Sequence, residues 1–374
     1  MPDSPFILMV AGEISGDQAA APAVIAIRQI YPEARILAVG GPRMREAGAE
    51  ILFPASELAV MGFAEVLRHL PRLLRRRRQV SRLLRDEKPD LFIPVDAPGF
   101  NLPLSREARK RGIPVLYYIA PQVWAWGKNR LKDMKRDLAG LAVILPFEEA
   151  WFRGRDLGAR FVGHPLAGRF EEKDPETNQP HRLGLMPGSR AQEVSRHLPK
   201  LLEAANNLAS ERPSLSFSIL EAESLTAKYY DAYMHDFKYP MKRFRANAES
   251  FFMEQDLLWV SSGTATLEAG LADLPMIVLY RTAGLNYQLA RRLVKLDHIA
   301  LVNLVAERGL VPELIQEEAS PKALANAMAK LIDDPQARSR QREGFREIRN
   351  RLGSLEPGVE VAQMAKEILE GHGR

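Results

Sequence analysis

The feature of this chain that most constrains its fold is the regular return of short apolar runs bounded by turn residues. In the first half these runs are Phe6–Ala11, Ile36–Val39, Leu91–Val95, Val115–Ile119, Leu141–Leu145 and Arg160–Val162. Segments with helical spacing, such as Ala19–Ile30 and Leu67–Leu84, lie between most of them. Strand and helix alternating at these intervals is typical of right-handed βαβ units, so the sequence predicts an α/β fold with a parallel sheet.

The pattern stops at Gly163–Pro165, and the polar segment Glu171–Pro180 carries no periodicity, which favours an interdomain linker. A second series of apolar runs follows at Leu183–Met186, Phe217–Leu220, Leu257–Ser261 and Met276–Leu279, and helical spacing dominates from Pro321 onward. We therefore predict two doubly wound Rossmann-like domains, 1–168 and 181–344, and a helical C-terminal tail, 345–374, that joins the first domain. Such sheets bind ligands beyond the carboxyl ends of their strands, so two facing sheets would enclose a cleft.

Composition excludes several classes of protein. The chain has no cysteine, which excludes disulfides, thiolate metal clusters and a cysteine nucleophile and suits the cytoplasm. No apolar stretch approaches the ~18 residues of a membrane-spanning helix. The N-terminus lacks the basic region of a secretory signal, so none is expected.

The loop Ala11–Asp17 follows the first predicted strand and opens the first helix. Its two glycines would let the backbone pass close to a ligand, and Asp17 or Ser15 is expected to cap the helix. The acids would repel a phosphate, so we expect Glu13 to bind sugar hydroxyls. The alternative is a plain strand-to-helix turn.

Asp96 follows the run Leu91–Val95, at the edge of the predicted sheet where catalytic groups gather. A carboxylate there could accept a proton from a hydroxyl, although it could also merely cap the next helix. Further along, Tyr117–Trp126 carries Trp124 and Trp126, of which we expect one to pack in the core and the other to be exposed for stacking.

Two loops of the second domain suit a diphosphate. Met186–Arg190 and Ser261–Glu268 each end a strand and open a helix, where glycine and hydroxyl residues expose backbone N–H groups to an anion. Arg190 would neutralise a diphosphate and Glu268 would hold a ribose diol. The residues expected to bind the nucleotide are Gly188, Ser189, Arg190, Ser262, Gly263, Thr264 and Glu268.

The segment Leu58–Leu67 runs into Arg68–Arg85, which holds eight arginines and no acid. Because the whole chain has a net charge of only +5, the rest of it is net acidic and the basic character is local. Apolar residues beside arginines favour an interfacial helix on anionic lipid, and the alternative is a buried helix with a solvated basic face. The expected membrane or acyl contacts are Met61, Phe63, Val66, Leu67, Arg75, Arg76, Arg77 and Arg78.

Taken together, the motifs resemble the lipid A disaccharide synthase family of UDP-sugar glycosyltransferases. In chain order they are Ala11–Asp17 (AGEISGD), Gly40–Met44 (GGPRM), Leu58–Gly62 (LAVMG), Glu65–Leu67 (EVL), Val95–Asn101 (VDAPGFN), Pro121–Trp126 (PQVWAW), Leu145–Glu148 (LPFE), Gly163–Pro165 (GHP), Pro187–Arg190 (PGSR), Ser262–Glu268 (SGTATLE) and Leu301–Leu304 (LVNL). Single motifs fit many nucleotide-sugar enzymes, but the whole set in this order is specific. Gly99 departs from relatives that carry an acid there, and Glu221–Lys242 matches no motif.

The resemblance implies a GT-B type fold with an acceptor-binding N-terminal domain and a donor-binding C-terminal domain. The implied reaction joins UDP-2,3-diacylglucosamine to 2,3-diacylglucosamine 1-phosphate, forms a β-1,6-linked disaccharide with inversion, releases UDP and needs no metal. No Asp-x-Asp triplet, HExxH, GxSxG or Walker A motif occurs. The resemblance makes Asp96 and Asn303 catalytic and Arg190 a donor contact. The expected acceptor contacts are Gly12, Glu13, Ser15, Asn101, Gln122 and Trp124.

The resemblance also implies a cytoplasmic enzyme, peripheral on the inner membrane of a Gram-negative bacterium, with a homodimer through the C-terminal helices. Two other functions stay open. One is another GT-B enzyme, either a peptidoglycan-type transferase or an epimerase of soluble nucleotide sugars, and the epimerase would not need the apolar loop and the basic helix. The other is an RNA-binding protein that uses the arginine run with Trp124 and Trp126, but this leaves both phosphate-type loops unused and supplies no known RNA module, so we expect no nucleic acid partner.

Overall fold

The computed structural model describes residues 4–58, 63–125, 127, 129–170, 180–245, 247–282 and 297–372 of the 374-residue chain. The chain divides into two compact units. Unit 1 comprises Met1–Pro165 and Ser354–Arg374, and unit 2 comprises Leu166–Gly353. The predicted linker Glu171–Pro180 lies outside the described residues except for Pro180.

Unit 1 is built on a parallel sheet of seven strands. Its strands are β1 (Phe6–Ala11), β2 (Arg35–Gly40), β3 (Glu50–Pro54), β4 (Leu91–Val95), β5 (Leu116–Tyr118), β6 (Gly140–Val143) and β7 (Ala159–Phe161). They lie in the order β3-β2-β1-β4-β5-β6-β7, so the direction of winding reverses between β1 and β4. These two central strands are almost entirely buried, as continuous apolar runs require.

The helices of unit 1 that precede the crossing to unit 2 cover both faces of this sheet. They are α1 (Ile14–Ile30), α2 (Pro42–Glu46), α3 (Phe63–Asp86), α4 (Pro98–Lys110), α5 (Arg130–Asp137) and α6 (Pro146–Arg153).

Unit 2 repeats the plan with a parallel sheet of six strands. They are β8 (Arg182–Met186), β9 (Ser216–Glu221), β10 (Met241–Arg245), β11 (Leu257–Ser261), β12 (Met276–Tyr280) and β13 (Glu313–Ile315). Their order is β10-β9-β8-β11-β12-β13, with the reversal between β8 and β11. The described helices are α7 (Ala191–Glu211), α8 (Ala227–Met234), α9 (Ala248–Met253), α10 (Thr264–Leu271), α11 (Leu301–Ala306), α12 (Pro321–Asp333) and α13 (Pro335–Leu352).

The last helix, α14 (Pro357–His372), returns to unit 1 and packs on α1. The approach is close because a Cβ added at Gly358 would lie 2.5 Å from the carbonyl carbon of Pro22. Buried α14 side chains, including Val361 and Ala365, complete the core around β1 and α1. The returning segment begins at Ser354 rather than at residue 345, because α13 belongs to unit 2.

The alternation of strands and helices predicted from the sequence is confirmed, and three further strands were not predicted. These are β3, β10 and β13, and each lies at an edge of its sheet. An edge strand pairs on one side only, so it need not be a continuous apolar run; β10 has the sequence Met-Lys-Arg-Phe-Arg. Among the described helices, none combines the length and apolar character needed to cross a membrane.

Candidate active site

Each reversal of strand order brings together, within its own unit, loops that the sequence singled out. In unit 1, Gly12 follows β1 and Asp96 follows the neighbouring strand β4. In unit 2, Pro187–Arg190 follows β8 and Ser262–Gly263 follows the neighbouring strand β11. Doubly wound sheets bind ligands at such reversals, because the loops there diverge and leave a crevice at the carboxyl edge.

The loop after β4 adopts an unusual backbone conformation. Asp96 and Ala97 both have left-handed backbones, with φ of 50° and 46°. A Cβ added at Gly12 would lie only 2.1 Å from the Cβ of Ala97. Gly12 is therefore required by the close packing of the two loops, and its expected contact with a sugar stays a prediction.

Asn101 supports the same loop from below. Its side chain is 0% exposed, and its Nδ2 donates to the carbonyl oxygens of Val10 at 3.1 Å and Asp96 at 2.8 Å. The Tyr117 hydroxyl donates to the same Asp96 carbonyl at 2.6 Å. Asn101 therefore has no surface for a sugar, which corrects its assignment as an acceptor contact, and it fixes the backbone that carries Asp96.

Asp96 is half-buried. Burial raises its pKa, and a hydrogen bond from the Ala97 N–H opposes the rise. The residue that precedes α4 is Ala97, and no side chain caps this helix. Asp96 therefore does not cap α4. Its raised pKa brings the carboxylate closer to the strength that a general base needs near neutral pH, which favours the chemical explanation of this residue.

The loop that opens α1 contains one inward-facing acid. Asp17 is buried, and its carboxylate accepts from the backbone N–H of Gly41 at 2.6 Å and of Met44 at 3.1 Å. It holds the start of α2, while α1 has no side-chain cap, so the expectation that Asp17 or Ser15 caps α1 is wrong. Glu13 is half-buried and Ser15 is exposed, so both reach the carboxyl edge of the sheet.

A buried acid that was not predicted as a functional residue lies beside the aromatic loop. Glu148, 2% exposed, accepts from Trp124 Nε1 at 2.9 Å and from the Leu145 N–H at 3.1 Å. Burial raises the pKa of Glu148 to about 7, against the hydrogen bonds that it accepts. Trp124 is half-buried and Gln122 is exposed, whereas Trp126 lies outside the described residues. The available signal was the position of the acid in the third residue of a helix that begins with proline.

Two of the three residues that we expect to bind the nucleotide in the loop after β8 are exposed. Ser189 and Arg190 are exposed, and Gly188 has a φ of 120°. Glu193, one turn into α7, accepts from the Ser189 N–H at 3.1 Å and pairs with Arg190 at 3.0 Å. A Cβ at Gly188 would meet the Glu193 side chain at 2.6 Å. The Glu193 carboxylate thus already interacts with the groups that we expect to bind a diphosphate.

The loop after β11 differs in that its glycine faces open space. Gly263 has a φ of 154°, and a Cβ there would meet no atom within 4 Å. Thr264 beside it is exposed, whereas the Ser262 hydroxyl donates to the Ile299 carbonyl at 3.0 Å and holds that segment. Burial raises the pKa of Glu268, and nearby Arg169, 3.7 Å away, opposes the rise.

Two further groups, which the sequence did not reveal, brace the β8 loop. His197 is buried, its Nδ1 lies 2.8 Å from the Pro187 carbonyl, and its Nε2 accepts from the Arg281 N–H at 2.9 Å. Burial lowers its pKa, so it is neutral and links the ends of β8 and β12. The previously unmatched segment supplies Ser224, whose hydroxyl donates to the Ser189 carbonyl at 3.0 Å.

Asn303 is placed inside unit 2. It is 0% exposed, and its amide exchanges two 2.9 Å hydrogen bonds with the backbone of Val311. Its Nδ2 also donates to Glu313, whose carboxylate accepts from the Ile299 and Ala300 N–H groups at the start of α11. Asn303 therefore fixes this segment, which favours support of the site over direct contact with a substrate.

The basic helix α3 has arginines of two kinds. Arg76 binds Glu57 at 2.6 Å and lies over the Phe53 ring, so it is part of the fold. Arg75 and Arg78 are exposed, and Arg77 is half-exposed. The predicted headgroup contacts are thus reduced to three, and Arg76 is corrected to a structural residue. Met61 and the side chains of Phe63, Val66 and Leu67 lie outside the described residues.

Comparison with known proteins assigns this arrangement to a family. The model of the family described as lipid-A-disaccharide synthetase matches residues 7–366. The lipid-A-disaccharide synthase of Anaeromyxobacter dehalogenans strain 2CP-C is 41% identical and aligns over 97% of this chain and 96% of its own. That of Nitrosococcus oceani is 38% identical over 98% of this chain and 97% of its own.

Among solved structures, the glycotransferase of kitacinnamycin matches with a TM-score of 0.65 at 15% identity, covering 98% of this chain and 100% of that chain. At this identity the likeness shows the fold alone, and it confirms the GT-B type fold. The family model and the relatives cover nearly the whole chain. The chain therefore belongs to the lipid-A-disaccharide synthase family of enzymes, which form the lipid A disaccharide in lipopolysaccharide biosynthesis.

Proposed function

We propose that this enzyme transfers the diacylglucosamine unit of UDP-2,3-diacylglucosamine to 2,3-diacylglucosamine 1-phosphate. The products are the β-1,6-linked disaccharide 1-phosphate and UDP, and the anomeric centre is inverted. The observation that carries the proposal is the pair of strand-order reversals: one presents the half-buried Asp96 carboxylate and the other presents backbone N–H donors and an arginine.

Unit 2 is the donor-binding unit in this proposal. The N–H groups at the starts of α7 and α10 point to the carboxyl edge, where helix N-termini stabilise negative charge. Arg190 adds a positive charge to neutralise the diphosphate, and the Glu268 carboxylate accepts hydrogen bonds from the ribose hydroxyls. The Glu193 carboxylate releases the Ser189 N–H when the diphosphate binds, since two anions at one helix start repel each other.

Unit 1 supplies the base. The acceptor hydroxyl is a poor nucleophile until its proton is removed, and the Asp96 carboxylate takes this proton as the hydroxyl oxygen bonds to the anomeric carbon of the donor. The bond from that carbon to the diphosphate oxygen breaks, and UDP leaves with the electron pair. Because one displacement occurs on the face opposite to UDP, the configuration inverts.

We also propose that the reaction needs no metal, since Arg190 and the two helix starts act on the diphosphate charge that a cation would otherwise neutralise. In the described part of the chain, no cluster of three or more acids, histidines or cysteines is arranged to hold an ion. Turnover should be unchanged by EDTA and by added Mg²⁺, and a loss on chelation would contradict this part of the proposal.

The decisive test of the function is release of UDP from the acylated donor, measured with and without the acylated acceptor. The proposal expects UDP and the acylated disaccharide 1-phosphate together, and only when both substrates are present. An epimerase of soluble sugars, the other GT-B candidate, would instead convert unacylated UDP-N-acetylglucosamine and need no acceptor.

We propose that α3 brings the enzyme to the cytoplasmic leaflet of the inner membrane of a Gram-negative bacterium, where acylated substrates reside. The exposed Arg75 and Arg78 would each add about 1 kcal/mol near anionic headgroups. Sedimentation with anionic vesicles should weaken with salt and with R75S/R78S. The matched control R106S/R109S removes two exposed arginines from α4 and should bind as the wild type does. Absence of wild-type binding at low salt would contradict the proposal.

A homodimer through the C-terminal helices is a further proposal. Leu355 and Val359, at the start of this segment, are large apolar side chains exposed to solvent. Burial of such side chains favours association. Light scattering should give a dimer that V359E dissociates, and a wild-type monomer would contradict the proposal.

A further inference from the structure

We infer that Glu148 is a positioning residue that acts on the acceptor indirectly, because it fixes the orientation of the Trp124 ring. The inference rests on the proposed function, in which unit 1 binds the acceptor. It assigns Trp124 a stacking contact rather than a hydrogen bond to a sugar hydroxyl. Glu148 itself touches no substrate, because its side chain is enclosed by the protein.

The two oxygens of Glu148 have different partners. Oε2 accepts from the Leu145 N–H at 3.1 Å, which is the bond that a residue in this position gives to the start of its own helix. Oε1 accepts from Trp124 Nε1 at 2.9 Å, and this residue lies 24 positions earlier in the chain. A helix cap needs the first bond only, so the second bond is an additional link between α6 and the loop after β5.

The link restricts the indole from two sides. Nε1 is held by Glu148, and the ring meets Phe147 edge-on, with centroids 5.1 Å apart and an interplanar angle of 84°. A carboxyl group this deeply buried is costly unless donors satisfy it, and the Trp124 N–H is one of its donors. The bond therefore stabilises both partners, and the indole is held in one orientation.

The loop that carries Trp124 follows the strand next to the one that carries the proposed base. Strand β5 pairs with β4, so the loop that carries Trp124 and the loop that carries Asp96 leave the sheet side by side. Because Glu148 uses the only N–H of the indole, the part of the ring that reaches solvent offers an apolar π surface and no donor. Such a surface suits the C–H face of a pyranose ring or the first methylenes of an acyl chain.

The test compares E148Q, W124F, the double variant E148Q/W124F and the control E149Q. Glu149 is the next residue of α6 and pairs with exposed Arg153, so E149Q removes a charge from the same helix without touching Trp124. In E148Q the amide offers one acceptor oxygen instead of two, so it cannot accept from Trp124 and Leu145 together. In W124F the cap bond from Leu145 is kept, whereas the link is lost together with the indole ring that would stack on the acceptor.

E148Q and W124F are each expected to raise the acceptor KM by about three- to tenfold, the range of one lost aromatic contact, with an unchanged donor KM. E148Q should shift the tryptophan fluorescence, and it should add nothing to the KM of W124F. E149Q should behave as the wild type does.

Additive effects of E148Q and W124F, or equal effects on the KM of donor and acceptor, would overturn the inference. If E148Q does not fold, W124F decides alone, and an unchanged acceptor KM overturns the inference. Failure of the wild type and E149Q to release UDP would instead count against the proposed function.

Discussion

The two units place their candidate residues at the same point of similar sheets, yet they expose them in opposite ways. In unit 1 the loop after β4 is packed against Gly12, held from below by Asn101, and carries a single acid whose pKa is raised by burial. In unit 2 the corresponding loops leave Ser189 and Gly263 exposed.

The difference suits the two chemical tasks that we propose for the units. A general base must be fixed and partly desolvated, since its pKa and its reach to the reacting proton decide its efficiency. An anion site must instead present backbone N–H groups that an incoming ligand can reach, and glycines with positive φ occur in both loops of unit 2. One type of sheet therefore supports both tasks through the packing of its loops.

The largest expected effect is on Asp96. Asp96→Asn keeps the shape of the loop but removes the base, so turnover should fall by about 10²-fold or more while UDP binding stays unchanged. In the wild type, kcat/KM should fall as the pH drops through the raised pKa of Asp96, because the protonated acid cannot accept a proton. The residual activity of D96N should lack this limb of the pH profile.

A near-normal kcat in D96N would break the comparison, because unit 1 would then present no base. Half-exposed Glu13 on the neighbouring loop would become the acid to test.

The second-largest effect is expected on Arg190, in the exposed loop after β8 of unit 2. Arg190→Ala should weaken UDP binding by about 10- to 100-fold, the range of one charged hydrogen bond, without changing stability. Arg196→Ala removes an equal charge from the same helix, further from its start, and should bind UDP nearly as the wild type does. Calorimetry with UDP measures both, and equal weakening would indicate general charge attraction rather than a contact.

The third effect separates a packed loop from an open one within unit 1. Gly12→Ala places a Cβ 2.1 Å from that of Ala97, so it should lower the free energy of unfolding by about 1–3 kcal/mol and reduce activity. Gly99→Ala meets no atom within 4 Å and lies in α4, so it should be neutral or slightly stabilising. Urea unfolding of both variants measures the difference, and equal stabilities would show that the loops are not closely packed.

The sequence was sufficient for the central strands and for the loops that follow them. Their apolar runs are long because both neighbours and both faces are covered, so β1, β4 and β11 have the predicted limits. The edge strands β3, β10 and β13 were missed for the opposite reason, whereas the edge strand β7 was predicted. Asn101 was assigned to the acceptor and Asp17 to the start of α1, although both side chains turn inward, because their partners Val10 and Gly41 come from other segments of the chain.

The smallest expected effect concerns Glu193, the acid on the exposed side. Its carboxylate interacts with the Ser189 N–H and Arg190, the same groups proposed to bind the diphosphate, so it competes with UDP. Glu193→Gln keeps the size and an acceptor oxygen but loses the charge. A site that is occupied part of the time by its own side chain binds ligand more weakly, so E193Q should bind UDP about three- to tenfold more tightly.

Glu203→Gln is the matched control, since Glu203 is exposed on the same helix far from its start. Calorimetry with UDP should separate E193Q from both E203Q and the wild type. Weaker binding by E193Q would mean that Glu193 supports the loop, as a helix cap does, instead of competing with the ligand. The exposed loops of unit 2 would then need a fixed internal acid, as the packed loop of unit 1 does, and the contrast between the two units would narrow.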